Sequence, residues 1–357
     1  MTPTRILIYR IGSLGDTVVA LPCFHLIARA FPNAQRRLLT NFPISAKAPA
    51  AATILQGTGL VHGFLRYSIG TRSPLELFNL WWNIVRFRPH LLVYLSGARG
   101  LAAARRDATF FRLCGVRTII GLPDTEAMQQ NLPVPPNGEL EPEAARLARN
   151  IASLGDAQLD DPASWSLHLT ADEQARATEA LQPIAGRPFI AVSLGTKLQA
   201  NEWAPESWRA LLAALVERYP SHALVLAGAA SDIPLSAAAA DGWNTAAALS
   251  GAAPALNLCG QLSPRESAAV FARAALYIGH DSGPLHLAAA MQVPCVGIFS
   301  ARGFPRIWFP YGPRHKVLYH PVNCMGCNLD VCTVERKKCI LSITVEEVLA
   351  AVAQVGF

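Results

Sequence analysis

Gly279-His280-Asp281-Ser282-Gly283-Pro284-Leu285-His286-Leu287-Ala288-Ala289-Ala290 follows the strand-like run Ala275-Leu276-Tyr277-Ile278 and opens a helix. Pro284 stands at an early helical position, where its fixed φ fits and its missing N–H is not needed. Asp281, Ser282 and Gly283 therefore occupy a strand-to-helix turn, where free backbone N–H groups and the positive end of the helix dipole face outward. A turn of this kind binds an anion such as a pyrophosphate. His286, about one turn into the helix, contributes from the same end. Taken alone, the same residues serve equally as an Asp/Ser cap and an ordinary helix histidine. The surrounding pattern decides between these readings.

Upstream, Pro188-Phe189-Ile190-Ala191-Val192-Ser193, His222-Ala223-Leu224-Val225-Leu226-Ala227 and Ala255-Leu256-Asn257-Leu258 read as buried strands, with a helix around Glu206–Tyr219. Ser263-Pro264-Arg265-Glu266 forms a capping box ahead of another helix. Downstream, Pro294-Cys295-Val296-Gly297-Ile298-Phe299 completes this set. The N-terminal half has the same organisation. A strand at Arg5–Arg10 leads through a glycine turn into a helix from about Thr17 to Phe31, and a short strand follows at Arg37–Thr40. A long apolar helix, about Pro74 to Arg88, then precedes the strand His90–Leu95. Buried strands alternating with helices predict an α/β fold with parallel sheets. Residues 123–165 read as irregular, ahead of a connecting helix near 171–182. Two Rossmann-like halves result, with domains at 1–183 and 184–357. The final helix, about Thr344 to Val355, is expected to pack back on the body, the N-terminal domain included.

The 357-residue length favours two cores, and 51% hydrophobic residues supply the apolar material for both. No stretch approaches the roughly 18 uninterrupted apolar residues of a membrane span. Met1–Arg5 runs straight into a strand, so no secretory leader is expected and a cytoplasmic location follows. The overall charge of +6 conceals an asymmetry. Residues 1–120 hold 15 Lys and Arg against Asp16, Glu76 and Asp107, a net +12, whereas the remainder is acidic at −6. The first half is thus suited to an anionic partner: nucleic acid, a phosphorylated glycolipid or a membrane surface. Trp81-Trp82, with Arg86 and Arg88 close by, would suit a membrane, but an apolar helix here is better read as the cover of a sheet. Of eight cysteines, Cys23, Cys114, Cys259 and Cys295 lie in apolar contexts. Cys324, Cys327, Cys332 and Cys339 form C-x2-C-x4-C-x6-C, which has the ligands for a structural zinc. The second pair lacks the tight spacing of a zinc ribbon, so reduced thiols and no metal are expected.

The first strand ends in Ile11-Gly12-Ser13-Leu14-Gly15-Asp16. This is G-x-x-G-D rather than a dinucleotide fingerprint, and the next strand ends at Thr40-Asn41 without the acid that grips a cofactor ribose. A nicotinamide cofactor is therefore not expected. Asp16 stands at the mouth of a parallel sheet, where its carboxylate is placed either to take a proton from a hydroxyl or to cap the following helix. In the second half, Leu194-Gly195-Thr196-Lys197 combines close backbone approach, a hydroxyl and a positive charge, a set that suits a phosphate.

Three blocks together resemble glycosyltransferase family 9, the family of the lipopolysaccharide heptosyltransferases. They are Ile11–Asp16, Gly195-Thr196-Lys197 with Trp203, and Asp281–Ala290. The resemblance implies a GT-B fold, two facing Rossmann-like domains with an interdomain cleft. It also implies a nucleotide-sugar donor, ADP-heptose in the best-known members, on the C-terminal domain, and a lipopolysaccharide core acceptor on the N-terminal one. Asp16 matches the proposed general base of an inverting transfer, within an acceptor-side loop that includes Gly12, Ser13 and Gly15. Gly195, Thr196, Asp281, Ser282, Gly283 and His286 match the donor-phosphate blocks. No cofactor, metal or nucleic-acid partner is implied; peripheral contact with the inner membrane is compatible with the basic surface.

There is one departure. Family members of the heptosyltransferase type usually carry Lys-x-Trp, and this chain has Asn201-Glu202-Trp203. Either Lys197, four residues earlier, supplies the charge that meets the departing diphosphate, or phosphate stabilisation rests on the helix terminus, or the donor differs; Asn201 is counted among the donor-binding residues. No D-x-D pair is present; Asp160 and Asp161 are adjacent. A nucleotide-sugar epimerase or hydrolase and a two-lobe anion-binding protein remain as alternatives, and an Asp16→Ala variant discriminates among them.

Overall fold

The computed structural model describes residues 3–41, 51–68 and 70–357. Met1 and Thr2, where a leader would begin, lie outside them. The chain divides into two compact units, Met1–His168 and Leu169–Phe357. The helix Ala171–Ala180 consequently belongs to the second unit, where Arg265 Nη2 donates to Glu173 Oε2 at 2.8 Å.

The first unit is built on a five-stranded sheet: β1 (Arg5–Tyr9), β2 (Gln35–Asn41), β3 (Phe64–Tyr67), β4 (Leu91–Tyr94) and β5 (Thr118–Ile120). Their order is β3-β2-β1-β4-β5, all parallel, with Ile8 opposite Leu38 on one side and Val93 on the other. β1 and β4 read as unbroken apolar runs because helices bury both faces of a parallel sheet. Leu80, Ile84 and Phe87 of the helix Pro74–Phe87 close one face over Leu7, Tyr9 and Leu92.

The expected helix 17–31 is two helices, Leu14–Val19 and Leu21–Ala30, meeting at Ala20. Pro22 supplies no N–H for the carbonyl four residues back, so the ladder is interrupted there. Residues 123–165 are more ordered than their composition predicts. They contain a hairpin of β6 (Pro133–Val134) and β7 (Glu139–Leu140), then a helix Glu143–Asn150. That helix buries Arg146, whose Nη2 lies 2.6 Å from Glu143 Oε1.

The second unit carries β8 (Phe189–Ser193), β9 (Ala223–Leu226), β10 (Leu256–Asn257), β11 (Leu276–His280), β12 (Cys295–Phe299) and β13 (His315–Tyr319). The order is β10-β9-β8-β11-β12-β13, again parallel throughout. This is the doubly wound Rossmann arrangement. β13 was not anticipated; it is an edge strand whose residues are mostly half-buried, so its apolar run is short. The final helix, Val345–Val355, packs on β12, β13 and the helix Pro205–Arg218. Its buried Val348, Leu349, Ala351 and Val352 join the core around Trp208 and Trp243, so its apolar face is used within the second unit. Among the described residues, no helix is long and apolar enough to cross a membrane.

Candidate active site

In an open α/β sheet, ligands bind beyond the carboxyl ends of the strands where the strand order reverses. In the second unit that point lies between β8 and β11. The loop after β8 carries Gly195, Thr196 and Lys197, and the turn after β11 carries Asp281, Ser282 and Gly283. The structure therefore places both halves of the expected anion site at one sheet edge. Asn201 joins them: its Nδ2 donates to the Asp281 carbonyl at 3.2 Å, and its Oδ1 accepts from Ser300 Oγ at 2.6 Å. Asn201 is buried and both ends of its amide are committed to protein, so it positions the turn.

The helix Gly283–Ala290 begins with Ser282 as an extended N-cap that makes no side-chain cap bond. The Ser282 side chain therefore does not cap the opening amides of this helix. The Ser282 hydroxyl is itself buried there, without a hydrogen-bond partner. His286 Nε2 lies 3.9 Å from Asp281 Oδ1, which ties the first helical turn to the strand end. Thr196 Oγ1 accepts from Leu198 N at 3.3 Å, shaping the loop, and Lys197 is exposed beside it.

Gly195 is required for a reason not visible in the sequence. A Cβ at this position would fall 2.1 Å from Asp232 Oδ2, and one at Gly228 would fall 2.8 Å from the same atom. The Asp232 carboxylate, which accepts from Ala229 N at 2.9 Å, thus lies over the ends of β8 and β9. This is the strand-end position from which Rossmann folds hold a ribose.

Two further supports were missed. Trp203 N donates to His280 Nε2 at 3.0 Å, and Trp203 Nε1 donates to the Ile343 carbonyl at 2.9 Å. The cysteine-bearing segment also braces the loop. Ala200 N donates to the Asp330 carbonyl at 3.1 Å, Cys332 N to Gln199 Oε1 at 3.0 Å, and Lys337 Nζ to the Glu202 carbonyl at 3.1 Å. All eight cysteines are free thiols, and among the described residues no group of three or more His, Cys, Asp and Glu is arranged to hold a metal ion.

The His280 bond requires a neutral imidazole. Burial pushes its pKa down to about 3, with the Lys337 charge acting the same way and the Leu194 backbone opposing. Burial likewise brings His315 down to about 4. Unfolded histidines titrate near 6.5, so the stability these two contribute is complete above that pH and is lost as pH falls towards 4 and 3. The unfolding free energy is expected to decrease by about 2–3 kcal/mol per pH unit between roughly pH 6 and pH 4.5. Urea unfolding across that range checks this, and His280→Gln removes about half of the slope.

The first unit has its own strand-end site, between β1 and β4. Gly12 has φ +150°, and a Cβ there would fall 2.4 Å from Asp16 Cβ, so only glycine lets the loop close over the acid. Asp16 Oδ2 accepts from Ser13 N at 2.6 Å and Ser13 Oγ at 2.7 Å, an arrangement of the capping-box type. Its other oxygen, Oδ1, lies 3.8 Å from Arg10 Nη2, and the side chain is 31% exposed. Buried Arg10 is anchored on the Leu95 carbonyl at 2.5 Å and on the Asp16 carbonyl. Gly15 lies within the first helix, and Gly12 N donates to Asn41 Oδ1 at 3.0 Å. Asp16 therefore both builds the turn and keeps an oxygen towards the open edge.

Beside it stands a cluster absent from the sequence reading. Arg99 Nη2 donates to Tyr94 OH at 2.9 Å and Tyr9 OH at 3.1 Å, and it pairs with Asp107. Tyr9 and Tyr94 end β1 and β4, so a fixed guanidinium sits at the same edge as Asp16.

Two doubly wound units, one presenting Asp16 and the other the Gly195–Lys197 loop and the Asp281–Gly283 turn at its strand ends, match the GT-B class of glycosyltransferase. Residues 108–338 match the family model of glycosyltransferase family 9 (heptosyltransferase), and the chain belongs to this family. It is similar to lipopolysaccharide heptosyltransferase 1 of Pseudomonas aeruginosa, 25% identical over 362 residues, covering 93% of this chain and 88% of that protein. It is 29% identical over 93 residues to lipooligosaccharide heptosyltransferase 2 of Campylobacter jejuni; that match covers 26% of this chain and 29% of the relative. Among solved structures, E. coli ADP-heptose lipopolysaccharide heptosyltransferase II shares the fold. The TM-score is 0.66 at 17% identity, covering 98% of each chain.

Proposed function

We propose that this enzyme transfers heptose from ADP-heptose, with inversion, to a hydroxyl of a lipopolysaccharide core or a related anionic glycolipid. The observation that carries the reading is the geometry of Asp16, which spends one oxygen on its own turn and leaves the other beside Arg10 at an open strand end. Asp16 takes the proton of the acceptor hydroxyl as its oxygen attacks the anomeric carbon. The bond from that carbon to the β-phosphate oxygen breaks, and ADP leaves. Lys197, Thr196 and the amides of the Ser282–Gly283 turn hold the charge that develops on the diphosphate. Asp232 faces the ribose hydroxyls, and Asn201 and His286 keep the turn in place. Arg99, at the same strand ends as Asp16, meets the anionic acceptor. The names of the Pseudomonas and E. coli relatives support both substrates. The reaction is assigned to the cytoplasmic face of the inner membrane, with the enzyme attached peripherally.

A thermal-shift panel with ADP, UDP, GDP and CMP tests the donor. ADP is expected to stabilise the protein selectively. Selective stabilisation by UDP or GDP would retain the glycosyltransferase and eliminate ADP-heptose.

A further inference from the structure

The helix Pro74–Phe87 does more than cover its sheet. Leu80, Ile84 and Phe87 face inward, whereas Leu75, Phe78 and Trp82 are 68%, 56% and 51% exposed. These three recur at intervals of three and four, so they share one stripe. Arg86, one further turn along, extends the stripe and is exposed. Trp81 widens the patch: its ring lies 5.6 Å from Phe78 and 6.2 Å from Trp82. Its Nε1 donates to the Leu113 carbonyl at 3.0 Å, which brings in Leu113, 71% exposed, together with Arg112. Arg72, Arg88 and Arg117 are also exposed at the margins, and Glu76 is the one acid on the helix. A contiguous apolar patch of this kind on a globular unit marks an interaction surface.

We infer that this face is a membrane-docking surface, and that its occupant is a bilayer containing anionic lipid. Exposed Trp, Phe and Leu rimmed by arginines is the composition of a helix that lies in the headgroup region, where Trp rings settle and guanidinium groups meet phosphates. The position fits the chemistry. β3 and β4 are parallel strands of one sheet, so the helix that follows β3 starts at the carboxyl edge. Leu75 and Phe78, within its first two turns, therefore lie towards the edge that carries Asp16. A glycolipid held in the bilayer would present its sugars to that edge. This assignment rests on the proposed glycolipid acceptor for its purpose, but not for its physical test.

The test is sedimentation with vesicles of phosphatidylethanolamine and phosphatidylglycerol, compared with phosphatidylcholine alone. The protein is expected to bind the anionic vesicles, and the triple variant Leu75→Ser, Phe78→Ser, Trp82→Ser to bind them roughly tenfold less or worse. Arg86→Glu with Arg112→Glu, which leaves the apolar stripe intact, is expected to lose the preference for anionic vesicles. Both variants should keep the wild-type melting temperature and the wild-type turnover on a deacylated, water-soluble acceptor. Absence of wild-type binding, or equal binding by the triple variant, overturns the inference. So does a wild-type dimer that the triple variant converts to monomer, because the face would then lie between copies. If vesicle binding depends on these residues but no acceptor is glycosylated, the surface stands and the glycolipid reading fails.

Discussion

Asp16→Asn is expected to lower kcat by about a thousandfold, the scale of a lost general base, while ADP affinity and melting temperature stay at wild-type values. The amide oxygen of asparagine can still accept from Ser13 N and Oγ, so the turn after β1 survives. What disappears is the ability to accept a proton. The variant therefore separates the structural half of Asp16 from the chemical half, which alanine would confound. Steady-state transfer with saturating donor reads the effect, and nucleotide-induced thermal shift reads the control. Retention of more than about a tenth of turnover would show that the acceptor hydroxyl needs no base at this position.

Lys197→Ala is expected to lower kcat by about a hundredfold, with a smaller rise in the donor KM. Charge on the departing diphosphate develops as the anomeric bond breaks, so a cation serving the leaving group acts more in the transition state than in the ground state. Lys197 is exposed beside the loop, and Asn201, where the family usually places its lysine, is committed to Asp281 and Ser300. If turnover were unchanged by the substitution, the charge would rest on the helix terminus alone. A rise in KM with kcat preserved would assign Lys197 to binding only.

The turn that reads most clearly in the sequence, Asp281–Pro284, is legible because its chemistry is local. A proline at the start of an apolar helix, after a buried strand, leaves few alternative conformations. The Ile11–Asp16 loop is legible for a similar reason, since its glycine and acid lie four residues apart. Other features depend on residues far apart in the chain. Asp232 reaches Gly195 only after the β8 and β9 strand ends are brought side by side. Arg99 acquires its setting from Tyr9, Tyr94 and Asp107, contributed by two strands and a helix. The helix Glu143–Asn150 was hidden because its apolar positions, Ala144 and Leu147, are few and its buried side also takes in the Glu143–Arg146 ion pair. The exposed face of Pro74–Phe87 was hidden for the opposite reason. Apolar residues lie on both sides of that helix, and its composition alone does not say which side meets the sheet.

The most direct test of the account is a single-turnover reaction of this enzyme with ADP-heptose and a heptose-deficient core acceptor, with the anomeric configuration of the product read by NMR. The account predicts a glycosidic bond of configuration opposite to that in the donor, formed only when the acceptor is present and abolished in Asp16→Asn. A product with retained configuration, or ADP released at the same rate without acceptor, would contradict it.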